Sequence, residues 1–518
     1  MRKLRSFGFL LALSGLIGLA ARLWNIGTEP LWLDEAYSAY AADHGWAFLL
    51  HVVPGYETHP PFYYSLLHLW VQAFGNSLIS LRLPGLLAGI ATPPVMALAA
   101  REAGAWLGWE LTRRRRLCFA AFGLACLSIV MVEMTRQVRP YPLMILAYGG
   151  ALTLLLRLAR LRAEGRPIGG RAFAGYFLLL EAILWLHNLG PLYACALTLA
   201  LAATLLGRDQ RRADLGWLAA AHILVVLLYL PGFAILRDQA PTWAAHTWLR
   251  FKLDKAFFDH LTMLYAAPGV AGFALFPLLF LAVAALSRGR TERRLAAMLL
   301  IMALLPVLLA VMLSLTVAPV FITRTMTPTA APAMLLLAVG ATAWNGGRGL
   351  IGIGAALLLG AAMLAADIQA RIARPIQDWY RTIDWLALRF EPGDQIFAYP
   401  NEGALPLSYA LRDRGLVFPI RPIPTAVPSF ATDGGWYPTG SRGVVSLPRD
   451  RLRAIAQAPE TEAVPTVWLL RLSAETYDPG NVFLQELHRG RYIVRSWRDG
   501  PIDLIGLRRR PAPVRNPR

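Results

Sequence analysis

Long apolar runs, joined by short connections, fill most of the first 368 residues and restrict what this chain can fold into. Because a membrane-spanning helix needs about 20 mostly apolar residues, the runs predict a polytopic α-helical membrane protein with about eleven transmembrane helices. They do not alternate with polar residues, which excludes an outer-membrane barrel. Only 16% of the residues are charged, too few for an ordinary water-soluble protein. After the run within residues 1–24, the others lie at about 78–100, 117–132, 142–158, 173–189, 191–207, 214–235, 263–286, 295–317, 326–344 and 349–368.

The distribution of positive charge predicts which connections lie in the cytoplasm. The chain has a formal net charge of +19, and its arginines cluster in alternate connections. The connection from about Asn25 to Ser77 contains no lysine or arginine. Because cytoplasmic loops are enriched in these residues, this connection is predicted to be external. An odd number of spans then places everything after Ile368 outside as well. The scattering of the arginines among loops argues against a nucleic-acid partner.

The composition changes at about Gln369, where charged residues return. The segments GDQIFAYP, TVWLLRL and RYIVRSW have the composition of β-strands. We therefore divide the chain into a membrane domain, residues 1–368, and an extracytoplasmic soluble α/β domain, residues 369–518. The basic tail RRRPAPVRNPR is predicted to be disordered. Within the membrane domain, residues 242–260 are predicted to form an amphipathic helix on the membrane surface.

The first external loop, about residues 25–77, contains an adjacent acidic pair, Asp34 and Glu35, directly beyond a predicted membrane helix. Carboxylates near a bilayer are costly unless they are solvated or paired. The pair is therefore interpreted either as a general base or metal ligand facing a water-filled cavity, or as two solvated loop acids. His59 precedes two prolines that fix a bend. It is interpreted as holding an acceptor, as orienting the acid pair, or as a turn histidine whose ring caps the following helix.

Several short motifs, taken in order, resemble those of one superfamily. They are LWLDEAY at residues 31–37, HPPFYY at 59–64, RLPG at 82–85, TRQVRPYPLMIL at 135–146, LHNLGPLY at 186–193 and ITRTMTPTAAPAMLLL at 322–337. The set resembles the GT-C superfamily of membrane glycosyltransferases. It is most similar to the branch with glycosyltransferase family 39, the lipid A aminoarabinose transferase and the rhizobial galacturonosyltransferases. The chain departs from the family pattern at Arg136-Gln137, where the family has Gln-Glu, and at Thr325, where the family has Tyr.

The resemblance implies the GT-C fold and an inverting glycosyltransferase. Such an enzyme moves a sugar from a polyprenyl-phosphate donor to an envelope acceptor: lipid A or lipopolysaccharide, a glycan, or a protein. The reaction would take place on the external face of the bacterial inner membrane. The resemblance assigns the catalytic base to Asp34, which would take the acceptor proton. No cofactor is predicted, although the acidic pair has the chemistry to hold a divalent ion.

Cations near the external face are predicted to bind the phosphate of the lipid donor. Taken alone, Arg82, Arg139 and Arg324 are equally typical of snorkelling residues that keep their charge in water. His187 ends an apolar run, where it would bind substrate or serve as a structural histidine, and Glu35 would bind acceptor or shape the loop. The predicted substrate-binding residues are Glu35, His59, Arg82, Arg139, Tyr141, His187 and Arg324.

Two other classes of function fit a polytopic chain. A transporter or lipid flippase also spans the membrane many times, but such proteins are typically built from repeated halves with broken helices. No internal repeat is visible in the sequence. A ligase that moves a whole lipid-linked glycan would place its glycan-binding loop differently, and the HPP motif argues against it. The glycosyltransferase interpretation is therefore preferred.

Overall fold

The computed structural model of the protein describes residues 2–57, 59–166, 170–205, 212–247, 249–344, 348–373, 375–428 and 447–510. In these residues the chain forms a helical part, α1–α16, followed by a C-terminal domain, α17–α22 with β1–β5. This arrangement confirms the predicted fold class. The predicted disordered tail begins inside the last strand, since Arg508 and Arg509 belong to β5, and residues 511–518 lie outside the described residues.

The described helical part contains sixteen α-helices. A π-helix, Phe48–Val52, precedes α3, and two 3-10 helices, Met134–Arg136 and Thr323–Thr329, precede α8 and α15. The α-helices α1–α16 are Arg2–Leu23, Leu33–Asp43, Val53–Tyr56, Phe62–Phe74, Leu78–Trp106, Leu111–Leu127, Ile129–Glu133, Tyr141–Ala163, Gly170–Leu186, Gly190–Leu205, Arg212–His246, Leu253–Tyr265, Gly269–Leu286, Arg290–Thr316, Ala330–Ala341 and Arg348–Ile372.

The predicted count of about eleven membrane spans is not confirmed, although helical structure is found within each of the eleven apolar runs. Within the described residues, six helices are long and apolar enough to cross a membrane, and a bent pair makes a seventh. The apolar helices Leu11–Leu23 and Gly190–Ala203 are shorter. The amphipathic helix predicted over residues 242–260 is wrong in its bounds. Residues 242–246 end α11, and α12 begins at Leu253, because an amphipathic pattern does not mark where one helix stops and the next begins.

The bent pair consists of α6 and α7, which meet at Ser128 with a change of direction of 57°. A break in a helix frees backbone carbonyls, and at membrane depth these need partners from the protein. Arg22 supplies them, because Nη2 donates to the carbonyl of Ala125 at 3.0 Å and Nη1 to that of Cys126 at 2.9 Å. Beyond the break, the chain reaches Val138, whose N–H donates to a side chain of α2.

The predicted first external loop is largely helical. Its first helix, α2, begins after Trp32, whose N–H donates to the Glu35 side chain at 3.3 Å. Acidic residues in the first turn also interact favourably with the helix dipole. The second half of the loop forms α4, which starts directly after the two prolines of the HPP motif. The bend at His59 therefore lies between α3 and α4.

The C-terminal domain is a mixed sheet with helices packed on it. The strand order is β2-β1-β3-β5-β4, in which β1 is parallel to β2 and β3, and β5 is antiparallel to β3 and β4. Its helices, α17–α22, are Trp379–Ala387, Ala404–Asp413, Arg449–Ala456, Pro459–Glu462, Ala474–Tyr477 and Val482–His488. Its strands, β1–β5, are Gln395–Ala398, Ile420–Pro422, Thr466–Leu472, Arg491–Asp499 and Ile502–Arg509.

Three of these strands, β1, β3 and β4, match the three predicted from the sequence. The central strand, β3, is buried along its whole length. Two separate hydrophobic clusters involve it, one containing Trp379 and Trp468 and the other containing Phe397 and Phe483. Strand β5 pairs with β3 over seven residues, from Ile502 to Arg508. The domain therefore has its own core on each side of the sheet.

Candidate active site

Asp34 lies in the first turn of α2 and is buried. Its Oδ2 atom is 2.8 Å from Nη2 of Arg324, which lies in the 3-10 helix Thr323–Thr329. The Arg324 guanidinium also lies over the ring of Trp32, with Cζ 5.0 Å from the ring centroid. A buried carboxylate is costly without a partner, and this ion pair supplies one. The side chain of Arg324 is 26% exposed, so the pair connects a buried acid to the surface.

Arg139 is buried and contacts α2. Its Nη1 donates to the backbone carbonyl of Asp34 at 3.2 Å and to Oγ of Ser38 at 3.4 Å. Its Nη2 lies 2.9 Å from Nε2 of His59. Because a guanidinium can only donate, Nε2 of His59 must accept, and a neutral His59 ring carries its proton on Nδ1. Arg139 thus connects α2, which carries Asp34, to the bend of the HPP motif.

His187 and Tyr141 complete the buried cluster. The His187 ring centroid lies 4.3 Å from that of His59 and 5.9 Å from that of Tyr141. Nδ1 of His187 accepts from the backbone N–H of Leu189 at 3.0 Å, which places the proton of the neutral ring on Nε2. This Nε2 is buried and has no hydrogen-bond partner within the described ranges. An orphan donor of this kind requires an explanation, and a ligand is one.

Glu35 and Arg82 form a second, internal network. Glu35 accepts from Val138 N–H at 3.0 Å, and its Oε2 lies 3.6 Å from Nη2 of Arg82. Arg82 also donates to the carbonyl of Ile26 at 2.7 Å. Burial raises the pKa of Glu35, and the opposing effects of Arg82 and of the backbone N–H groups only partly offset it. These contacts hold α2 against the helical part, and the substrate-binding role suggested for both residues stays a prediction.

The two adjacent carboxylates pair with different arginines. Asp34 contacts Arg324, whereas Glu35 contacts Val138 and Arg82. In the part of the chain that the structure describes, no group of three or more His, Cys, Asp and Glu side chains has an arrangement that could hold a metal ion. The arrangement therefore gives no support to a divalent ion held jointly by the pair.

Sequence reasoning missed several residues that the fold brings to this site. Ser38 contacts Arg139 and lies one helical turn after Asp34, so its spacing was a usable signal. Glu57, from the loop between α3 and α4, is also buried. Gln377 of the C-terminal domain accepts from Leu33 N–H at 3.0 Å, next to Asp34 in the chain. Nothing in the local sequence around Gln377 indicates that contact.

The overall fold is similar to that of several solved membrane-protein structures. The chain is similar to ArnT from Cupriavidus metallidurans in its apo state, with a TM-score of 0.57 and 11% identity over 98% of both chains. For the same protein bound to undecaprenyl phosphate, the TM-score is 0.58 and the identity 13%, over 96% of this chain and 97% of that one. No protein-family model and no curated protein matches the sequence.

A second solved structure with this fold is the archaeal oligosaccharyltransferase AglB from Archaeoglobus fulgidus, in complex with an inhibitory peptide and a dolichol-phosphate. Its TM-score with this chain is 0.52 and the identity is 14%, over 97% of this chain and 74% of AglB. The alignment with ArnT spans both the helical part and the C-terminal domain. At these identities the likeness establishes the fold.

Proposed function

We propose that the protein is an inverting membrane glycosyltransferase. It moves a sugar from a polyprenyl-phosphate donor to an acceptor of the cell envelope, on the external face of the bacterial inner membrane. The observation that carries the proposal is the buried Asp34, held 2.8 Å from Arg324 at the edge of a GT-C fold. The similarity to structures that contain undecaprenyl phosphate or dolichol-phosphate supports a lipid phosphate in the donor.

The reaction needs a base that takes the acceptor proton and a cation that stabilises the phosphate that leaves. The acceptor oxygen forms a bond to that carbon while the bond to the phosphate oxygen breaks, and polyprenyl phosphate leaves with the bonding electrons. Asp34 takes the proton of the acceptor hydroxyl. Arg324 pairs with the Asp34 carboxylate, and its part-exposed guanidinium stabilises the leaving phosphate.

The contacts distinguish the roles of the two arginines beside Asp34. Both terminal nitrogens of Arg139 contact protein atoms, and its side chain is buried. Arg324 is the more exposed of the two, and lipid phosphate therefore binds to Arg324, while Arg139 holds α2 and His59 in place. His187, with its unpartnered Nε2–H, donates to a substrate oxygen. The acceptor is lipid A or lipopolysaccharide, a glycan, or a protein.

Two measurements test the proposal. Mass spectrometry of envelope glycolipids and glycoproteins, with and without the gene, identifies the sugar and the acceptor from the missing mass. Transfer from the matching synthetic polyprenyl-phosphate sugar is then followed in detergent. Asp34→Asn cannot accept a proton, so turnover is expected to fall by about 10²- to 10⁴-fold.

The matched control is Asp254→Asn, the same substitution at an exposed position of α12. Its turnover is expected to equal that of the wild type. Near-normal turnover by a folded Asp34→Asn protein would rule out Asp34 as the base. A transporter or lipid flippase would then become the preferred function.

A further inference from the structure

The C-terminal domain contacts α2 along the whole length of that helix. Four groups of α2 are involved, and they are spaced at intervals of four, three and three residues. The hydrogen bonds are Leu33 N–H to Gln377 Oε1 at 3.0 Å, Tyr37 O–H to Glu402 Oε2 at 3.0 Å, Tyr40 O–H to the Val427 carbonyl at 2.9 Å, and Tyr409 O–H to Asp43 Oδ2 at 2.7 Å.

These four positions lie on one face of the helix. An α-helix turns by about 100° per residue, so Tyr37, Tyr40 and Asp43 all fall within about 80° of Leu33. Asp34 and Ser38 are rotated away from this face, toward Arg324 and Arg139 of the helical part. α2 is therefore held between the two parts of the chain. Asp34 faces the helical part, and Tyr37 and Tyr40 face the C-terminal domain.

The groups that hold α2 belong to ordered elements of the C-terminal domain. Gln377 Oε1 also accepts from Nε1 of Trp379 at 3.3 Å, and Trp379 is fully buried in the core of the domain. Glu402 is buried in a 3-10 turn directly after β1. Tyr409, on α18, belongs to the same hydrophobic cluster as the helical part. Gln377 is therefore linked to the core of the C-terminal domain, and Tyr409 packs against the helical part.

Contacts with the helical part, through Asp34, Glu35 and Ser38, also hold the helix, and the C-terminal domain supports it from the other side. Isolated helices shorter than about 12–15 residues are marginal in water, and α2 has 11 residues. The N–H groups of its first turn have no partner within the helix, and Gln377 satisfies that of Leu33. A small rotation of α2 would move the Asp34 carboxylate away from Arg324.

We propose that the C-terminal domain sets the position of α2, and through it that of Asp34, with Gln377, Glu402 and Tyr409 as the positioning residues. The part that concerns Asp34 as a base rests on the proposed function. The holding of the helix does not, and it can be measured without any substrate.

Hydrogen–deuterium exchange of the full-length protein in detergent tests the holding of α2. Tyr37→Phe and Tyr409→Phe each remove one hydroxyl and should speed amide exchange in residues 33–43 by about fivefold, the factor that corresponds to a hydrogen bond of ~1 kcal/mol. The matched control is Tyr380→Phe. It removes a tyrosine–carboxylate bond of 2.9 Å, to Asp413, inside the same domain, and should leave exchange in α2 unchanged.

Gln377 allows a conservative rescue. Gln377→Ala removes the acceptor of the Leu33 N–H and should accelerate exchange at the start of α2. Gln377→Glu keeps an oxygen in the same place and adds a charge that a helix N-terminus favours, so it should restore slow exchange. Gel filtration checks that each variant is folded, and a variant that fails this check is replaced by the remaining ones of the series.

Equal exchange in α2 for the wild type, Tyr37→Phe, Tyr409→Phe and Gln377→Ala would overturn the proposal, whatever the protein catalyses. If exchange responds as expected, sugar transfer provides the second readout. The Tyr37→Phe/Tyr409→Phe double variant should lose turnover by about tenfold or more, because small misplacements of catalytic groups are costly, with the KM for the lipid donor unchanged. Faster exchange with normal turnover would overturn the link to Asp34. A wild type that transfers no sugar would refute the proposed function and leave the holding of α2 intact.

Discussion

Replacement of Asp34 by asparagine is expected to strengthen the binding of undecaprenyl phosphate, although it lowers turnover by about 10²- to 10⁴-fold. Nη2 of Arg324 lies 2.8 Å from Oδ2 of Asp34. A lipid phosphate that approaches Arg324 therefore competes with the carboxylate for one guanidinium and is repelled by its negative charge. Asp34→Asn removes the charge while keeping the size of the side chain. In the variant, the phosphate binds Arg324, whose former carboxylate partner at position 34 is now neutral.

The size of the effect follows from the geometry and exposure of the pair. The side chains of Asp34 and Arg324 are 11% and 26% exposed, so the effective dielectric constant lies between those of water and of the protein interior. With an effective dielectric constant of about 40 and a carboxylate–phosphate separation of about 6 Å, the repulsion is ~1.4 kcal/mol. This corresponds to a Kd about tenfold lower in the variant.

Native mass spectrometry of the detergent-solubilised protein, titrated with undecaprenyl phosphate, measures this affinity. Arg324→Gln removes the cation and is expected to raise the Kd, also by about tenfold, since one charge-assisted contact is lost. Asp254→Asn, at an exposed position of α12, should bind as the wild type does. Unchanged or weaker binding by a folded Asp34→Asn protein would refute the sharing of Arg324 between carboxylate and phosphate.

Two further predictions concern the segments that hold the site. Gly85→Ala should lower the thermal stability and yield in detergent, because the new Cβ would lie 2.7 Å from the Thr135 carbonyl oxygen. The control is Gly123→Ala, whose Cβ has no neighbour within 4 Å. It should be neutral or slightly stabilising. Burial raises the pKa of Glu35 in the folded state, so its protonation favours folding. The stability of the wild type relative to Glu35→Gln should therefore be greatest below pH 4.5 and decline as the pH rises through the raised pKa. Denaturation curves measure the difference in unfolding free energy between the two proteins. A difference that stays constant or increases with pH would contradict the prediction.

The fold class could be predicted because apolar runs and strand patterns are local signals. The count of about eleven spans stays a prediction, and hydropathy does not report where a helix breaks. The break at Ser128 depends on Arg22, a residue about a hundred positions away that satisfies the freed carbonyls. The length of an apolar run is thus a poor guide to a span that bends inside the membrane domain.

The sequence motifs selected residues of the candidate site, but they did not indicate how those residues are arranged in space. The motifs selected Asp34, Arg139 and Arg324, and the structure brings these three together. The sequence could not indicate that Arg139 is buried against α2 while Arg324 is partly exposed, since burial depends on how distant helices pack. For the same reason Gln377, whose contact with Leu33 spans 344 residues of chain, carried no signal.

The distance in sequence between α2 and its partners also orders the assembly of the protein during synthesis. Residues 33–43 are made early, but the groups that hold them, from Gln377 to Val427, follow 344 to 387 residues later. At a translation rate of about 5–20 residues per second, these groups are synthesised roughly 20–80 seconds after α2. A chain cut short before Gln377 would contain Asp34, Arg139 and Arg324. It would lack the C-terminal groups that hold α2, the helix of Asp34. Such a truncated product would occupy the membrane without a fully assembled site.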